Sequence, residues 1–99
     1  MGACSNFMTI QTIDRAEIKK EFKGYVEECI YNYGHDPYNG TFSTCSGLTI
    51  TSKTFENENE ARDYILDHTE KWGDALAVTI KSSKGDYTLI GGWCAEWVL

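Results

Sequence analysis

Apolar residues recur at helical spacing in two stretches of the chain, and each stretch begins with a capping pattern. The first begins at Asp14-Arg15-Ala16-Glu17, which has the form of a capping box and predicts the start of a helix. Gly34 is the residue type that commonly ends a helix, so we predict that the helix stops before it. The apolar stripe between these signals occupies positions 18, 22, 25, 26, 29, 30 and 33.

A second capping box, Asn57-Glu58-Asn59-Glu60, predicts the start of another helix. Gly73 marks its expected end, and His68 is expected to face the core because it falls within the apolar stripe. The stripe consists of Ala61, Tyr64, Ile65, His68 and Trp72.

Strands are predicted where β-branched residues cluster or apolar residues alternate. Residues 5–13 are rich in β-branched side chains, and the Thr-rich segment from Gly40 to Ser52 predicts a hairpin of two short strands. Apolar residues alternate with smaller ones between Ala75 and Ile80. Residues 87–97 are predicted to form the last strand.

The predicted order is β-α-β-β-α-β-β, which indicates one α+β domain over residues 1–99. Its first six elements match a split β-α-β (ferredoxin-like) plan, an antiparallel sheet with two helices on one face. The last strand is expected to add to one edge of the sheet. The other sheet face would then be open to solvent or to a partner.

Composition and charge limit the function. Nothing in the sequence is long and apolar enough to span a membrane, and the first residues lack the pattern of a signal peptide, so we expect a cytoplasmic chain. Its four cysteines, at 4, 29, 45 and 94, are expected to be reduced thiols, with Cys29 in the core. The net charge of −6 argues against direct nucleic-acid binding and favours a basic protein partner, or solubility alone.

The second helix carries much of this negative charge. The run Glu56-Asn57-Glu58-Asn59-Glu60 continues in Asp63, Asp67 and Glu70. Such a run is typical of a solvated helix face. The functional alternative is a surface that competes for a basic groove.

The segment Tyr31–Cys45 concentrates aromatic, polar and turn-forming residues in what is expected to be a loop, where binding sites tend to lie. Its donors, acceptors and flat rings suit a planar, polar ligand such as a nucleotide, and the alternative is a well-capped connection between a helix and a strand. The candidate ligand- or partner-binding residues are Tyr33, His35, Asp36, Tyr38, Asn39, Thr41, Ser43 and, from the last strand, Trp93.

Trp93 and Trp97 share one face of the last strand, after the glycine pair Gly91-Gly92. That face is either an exposed aromatic surface or core. If it is exposed, Trp93 and the loop would form one contact surface, and a two-fold homodimer would bring the two segments together.

No catalytic or metal-ligating residue is assigned. A triad would need Ser43, Cys45 or Cys94 beside His35, and no nucleophile motif supports one. Zinc ligands usually come in pairs that are close in sequence, and the chain has no such pair. We therefore expect no metal and no cofactor.

The strings Tyr33-Gly34-His35 and Tyr38-Asn39-Gly40-Thr41 resemble a signature of small uncharacterised proteins encoded by phages, prophages and plasmids. The resemblance covers residues 25–50 and the segment Glu70–Ala77. It implies a mobile-element origin and a bacterial cytoplasm. Small acidic phage proteins of this kind are often inhibitors of host defence.

The sequence therefore predicts a phage-type accessory protein that acts by binding rather than by catalysis. Its expected role is to antagonise a bacterial defence system, by blocking a host defence protein or by sequestering a small nucleotide-like signal. The alternative is a small-molecule or nucleotide-binding regulatory module. A third hypothesis is a small hydrolase that uses His35.

Overall fold

A computed structural model describes residues 2–33, 42, 45–70 and 72–96 of the chain. Two helices and four strands make up this part, in the order β1 (Gly2–Ile10), α1 (Arg15–Tyr33), β2 (Leu48–Phe55), α2 (Glu58–His68), β3 (Ala75–Ile80) and β4 (Tyr87–Glu96). Neither described helix is long and apolar enough to cross a membrane.

The strands form one sheet in the order β1-β4-β3-β2. The helix α1 connects the two edge strands, and β4 and β3 lie between them, so the α+β class and the split β-α-β plan are confirmed. Two details differ from the prediction. The strand β2 runs parallel to β3, so the sheet is mixed rather than antiparallel. The strand β4 pairs with both β1 and β3, so the last strand lies inside the sheet and not at its edge.

The two helices cover opposite faces of the sheet, so the prediction that both lie on one face is wrong. On β3, Ala75 and Ala77 pack in the cluster that contains Ile18 and Phe22 of α1. The alternate residues Leu76, Val78 and Ile80 pack with Ala61 and Ile65 of α2. The cause is topological. The crossover from β1 to β2 and the crossover from β2 to β3 run in opposite directions, and right-handed connections then require opposite faces.

Both helices begin where the capping residues predict. The side chain of Asp14 accepts a hydrogen bond from Ala16 N at 3.0 Å, and that of Asn57 accepts one from Asn59 N at 2.8 Å. The end of α2 differs from the prediction, because the helix stops at His68 and Thr69 is extended. The hydroxyl of Thr69 donates to the carbonyl of Ile65 at 2.8 Å.

The predicted hairpin between Gly40 and Ser52 is not observed at its described residues. Phe42 is buried in a 3₁₀ turn, and its carbonyl accepts a hydrogen bond from Cys45 N at 3.0 Å. The second half of the expected hairpin belongs to β2, whose partner is β3. Thr41, Ser43 and Thr44 lie outside the described residues.

Candidate functional site

Most of the residues that the sequence nominates for binding lie outside the part of the chain that the structure describes. Tyr33 is the last residue of α1. The predicted assignments that fall outside are His35, Asp36, Tyr38, Asn39, Thr41 and Ser43.

Trp93 is described, and it faces α2. Its indole Nε1 donates a hydrogen bond to the carbonyl of Leu66 at 3.1 Å. A helix covers each face of the sheet, so the half-buried Trp93 joins β4 to the last turn of α2 instead of lying on an open face. Of the two alternatives for this strand face, a place in the core therefore fits the surroundings of Trp93 better than an exposed aromatic surface.

The structure places a different set of polar residues together, where α2 ends and β3 begins. An open cavity of about 460 Å³ lies there, and we call it the acidic corner. Its lining includes three carboxylates, from Asp67, Glu70 and Asp74. The other lining residues are Thr49, His68, Thr69, Gly73 and Leu76.

The negative charge of the acidic corner has no basic partner among the described residues. The two ion pairs found in that part of the chain are elsewhere, between Arg62 and Glu58 and between Lys81 and Asp86. Asp74 is fixed by the hydroxyl of Thr49, which donates to its Oδ2 at 2.8 Å. Asp67 and Glu70 lie at the end of α2 that carries the negative pole of the helix dipole. The corner therefore favours a cation.

Trp72 stands beside the acidic corner in a strained backbone conformation. Its φ of 73° is the only positive value for a described residue other than glycine, and its side chain is 43% exposed. The turn is held by Ser46, whose hydroxyl donates to the carbonyl of Trp72 and whose N donates to the carbonyl of Gly73 at 3.0 Å. The predictions that Trp72 belongs to the apolar face of the second helix and that Gly73 ends this helix are therefore wrong.

His68 is exposed, so its predicted core position is also wrong. Its ring stacks on Tyr64 with the centroids 4.0 Å apart, and its Nδ1 lies 2.8 Å from the carbonyl of Tyr64. The ring of Tyr64 also contacts Phe55, with 5.4 Å between centroids, and Lys53, whose Nζ lies 5.9 Å from the ring centre. This aromatic row leads along α2 to the acidic corner.

The arrangement is suited to binding through charge and aromatic contact. Carboxylates only accept hydrogen bonds, so they match a ligand with several N–H donors, and an exposed indole adds a surface for a cation. Within the described ranges, no group of three or more His, Cys, Asp or Glu side chains has the arrangement of a metal site.

Comparison of the chain with protein-family models, with curated proteins and with solved structures gives no match.

Proposed function

We propose that this chain acts by binding a basic segment of a partner protein at the acidic corner. An arginine or lysine side chain enters the cavity near Asp67, Glu70 and Asp74, and Trp72 packs against the bound segment. The observation that carries the proposal is the exposed, strained Trp72, which precedes Gly73 of the cavity lining, together with three lining carboxylates that form no ion pair with a described basic residue.

The backbone strain at Trp72 supports this proposal. A bulky residue at positive φ costs on the order of 1–3 kcal/mol, and such strain clusters at functional sites. The side chain of Trp72 is 43% exposed, so part of its surface is available to a partner. Tryptophan and arginine are also the residue types that contribute most at protein interfaces.

A stripe of exposed carboxylates extends the negative surface from the acidic corner along α2. Glu60, Asp63 and Asp67 are spaced by three or four residues and therefore share one side of the helix, and Glu70 follows two residues beyond its end. Like charges at this spacing destabilise an isolated helix by about 0.2–0.5 kcal/mol per pair. A basic partner would relieve this repulsion, and the stripe would speed its approach.

The resemblance to phage, prophage and plasmid proteins extends the proposal to a biological role. The partner would then be a bacterial defence protein, and binding would block it in the bacterial cytoplasm. The acidic corner does not support the hypothesis that the chain sequesters a nucleotide signal, because the carboxylates of the corner repel phosphate groups. The corner also does not support the hypothesis of a hydrolase that uses His35, since His35 is not among its lining residues.

Calorimetric titration with a hexa-arginine peptide tests the binding proposal. We expect the double variant Asp67→Asn, Glu70→Gln to weaken binding by about tenfold, which corresponds to about 1.4 kcal/mol. The matched control is Glu27→Gln, Glu28→Gln, which removes the same charge from exposed positions on α1. Equal loss in the two double variants would show that only net charge matters and would refute the proposed site. No binding by the wild type at low salt would also refute it.

A further inference from the structure

Two thiols from distant parts of the chain, those of Cys45 and Cys94, lie next to each other. The Sγ atoms of Cys45 and Cys94 are 4.0 Å apart, within hydrogen-bond distance for sulfur. Cys45 is half-buried just before β2, and Cys94 is fully buried within β4. All four cysteines of the chain are thiols in this structure.

The segment that carries Cys45 is attached directly to the Trp72 turn. The next residue, Ser46, donates one hydrogen bond to the carbonyl of Trp72 and another to that of Gly73. The carbonyl of Gly47 accepts a third hydrogen bond from Ala75 N at 2.9 Å. A displacement of Cys45 would therefore be transmitted to Trp72.

We propose that Cys45 and Cys94 are a site of reversible disulfide oxidation, and that the bond alters the turn that presents Trp72. A disulfide requires its sulfur atoms to be about 2.05 Å apart, so the two must approach by about 2 Å. Cys94 and its two neighbours in β4 are paired with β1, whereas Cys45 lies in a bend before β2. Cys45 is therefore the residue that moves.

The oxidant is a small disulfide such as glutathione disulfide. The thiolate of the more accessible Cys45 attacks one sulfur of the reagent, which releases one glutathione thiolate and leaves a mixed disulfide on Cys45. The thiolate of Cys94 then attacks Cys45 Sγ and displaces the second glutathione. The two protein thiols lose two electrons and two protons, and the reagent takes them up as two glutathione thiols.

The thiol of Cys45 is protected against oxidation at neutral pH. The hydrogen bond with Cys94, followed by burial and by the charges of Cys94 and Asp74, raises the pKa of Cys45 well above its usual value. Because the thiolate is the nucleophile, we expect oxidation to be slow near pH 7 and to accelerate about tenfold per pH unit above it. Such a site responds to sustained oxidising conditions.

Cys4 is the cysteine that could form a disulfide with Cys94 in place of Cys45. It lies directly opposite Cys94 in the pairing of β1 with β4. Cys29 is buried on α1. These two cysteines provide matched controls.

Incubation of the full chain with glutathione disulfide, followed by intact-mass analysis and peptide mapping under non-reducing conditions, tests the proposal. We expect loss of two hydrogens and a peptide linked through Cys45 and Cys94. Cys4→Ala and Cys29→Ala should retain the bond, and Cys45→Ser should lose it. A Cys4–Cys94 link, or glutathione that remains on Cys45, would overturn the proposed pair.

Acrylamide quenching of tryptophan fluorescence tests the effect on the turn. The Trp72 signal, obtained as the difference between the wild type and Trp72→Phe, should change its quenching constant by at least about twofold on oxidation and recover on reduction. An unchanged constant in a fully oxidised sample would overturn the link to Trp72. Both measurements are made without any peptide ligand, so they are decided separately from the proposed binding function.

Discussion

The ring of Phe7 occupies the space that a Cβ atom at Gly91 would need. The two residues face each other across β1 and β4, and the ring of Phe7 lies directly over the glycine. On α2, Ile65 Cγ2 would be only 3.1 Å from the added Cβ, and the guanidinium of Arg62 lies 4.7 Å from the ring centre of Phe7. The glycine therefore allows a close approach of α2, β1 and β4.

Gly91→Ala should destabilise the fold by about 1–3 kcal/mol, because the extra methyl group overpacks the core between the sheet and α2. Thermal or urea unfolding measures the change. The matched control is Gly24→Ala on α1, where nothing lies within 4 Å of the added Cβ and the glycine is exposed. That variant should stabilise the protein by about 0.5–1 kcal/mol. A Gly91→Ala protein as stable as the wild type would show that the Phe7 ring is free to move aside.

The helix starts and the strand β3 could be predicted from the sequence because local interactions determine them. Asp14 and Asn57 cap their helices through bonds to residues two positions away. The face on which α2 packs depends instead on the direction of the connection between β2 and β3. The same alternating pattern in β3 is compatible with either arrangement, since both faces of that strand are apolar.

The acidic corner could not be predicted, because it depends on where α2 ends. The helical pattern extends to Trp72, and Gly73 is a familiar stop signal. Thr69 nevertheless ends the helix early, and hydrogen bonds from Ser46, distant in sequence, hold Trp72 at positive φ. The acidic residues themselves were visible in the sequence, but their convergence with Asp74 is a tertiary effect.

Asn57→Ala should cost about 1 kcal/mol of stability, because the first turn of α2 would lose its side-chain cap. The amide oxygen of Asn57 accepts the hydrogen bond from Asn59 N. Asn59→Ala is the matched control, since it removes the same side chain from an exposed position in the first turn and improves helix propensity. Urea denaturation of both variants measures the difference. Equal stabilities would contradict a capping role for Asn57.

The pair Tyr87 and Glu58 should make stability depend on alkaline pH. The hydroxyl of Tyr87 donates to Glu58 Oε1 at 2.9 Å, and this bond, together with burial and the charge of Glu58, raises the pKa of Tyr87. The folded state then holds the phenolic proton more tightly than the unfolded chain. The resulting stabilisation is complete below about pH 10 and is lost as the pH rises through the folded pKa.

Urea denaturation between about pH 8 and pH 11 measures this effect. We expect the stability difference between the wild type and Tyr87→Phe to shrink as the pH rises. Tyr31→Phe, at a residue that is 88% exposed, is the matched control and should follow the wild type. Parallel profiles for the wild type and Tyr87→Phe would contradict the linkage.

Substitutions at Trp72 should separate backbone strain from binding. Trp72→Gly and Trp72→Ala both remove the indole, so both should weaken hexa-arginine binding. They differ in the backbone, because glycine adopts φ near 73° without the steric cost that alanine retains. We therefore expect the glycine variant to be more stable than the alanine variant by about 1 kcal/mol. This order is the reverse of the usual one, in which glycine lowers stability through the entropy of the unfolded chain.

Urea denaturation measures the order of stability and calorimetry measures the binding. An alanine variant at least as stable as the glycine variant would mean that the turn relaxes to negative φ once the ring is gone. The strain would then belong to the indole and not to the contacts with Ser46.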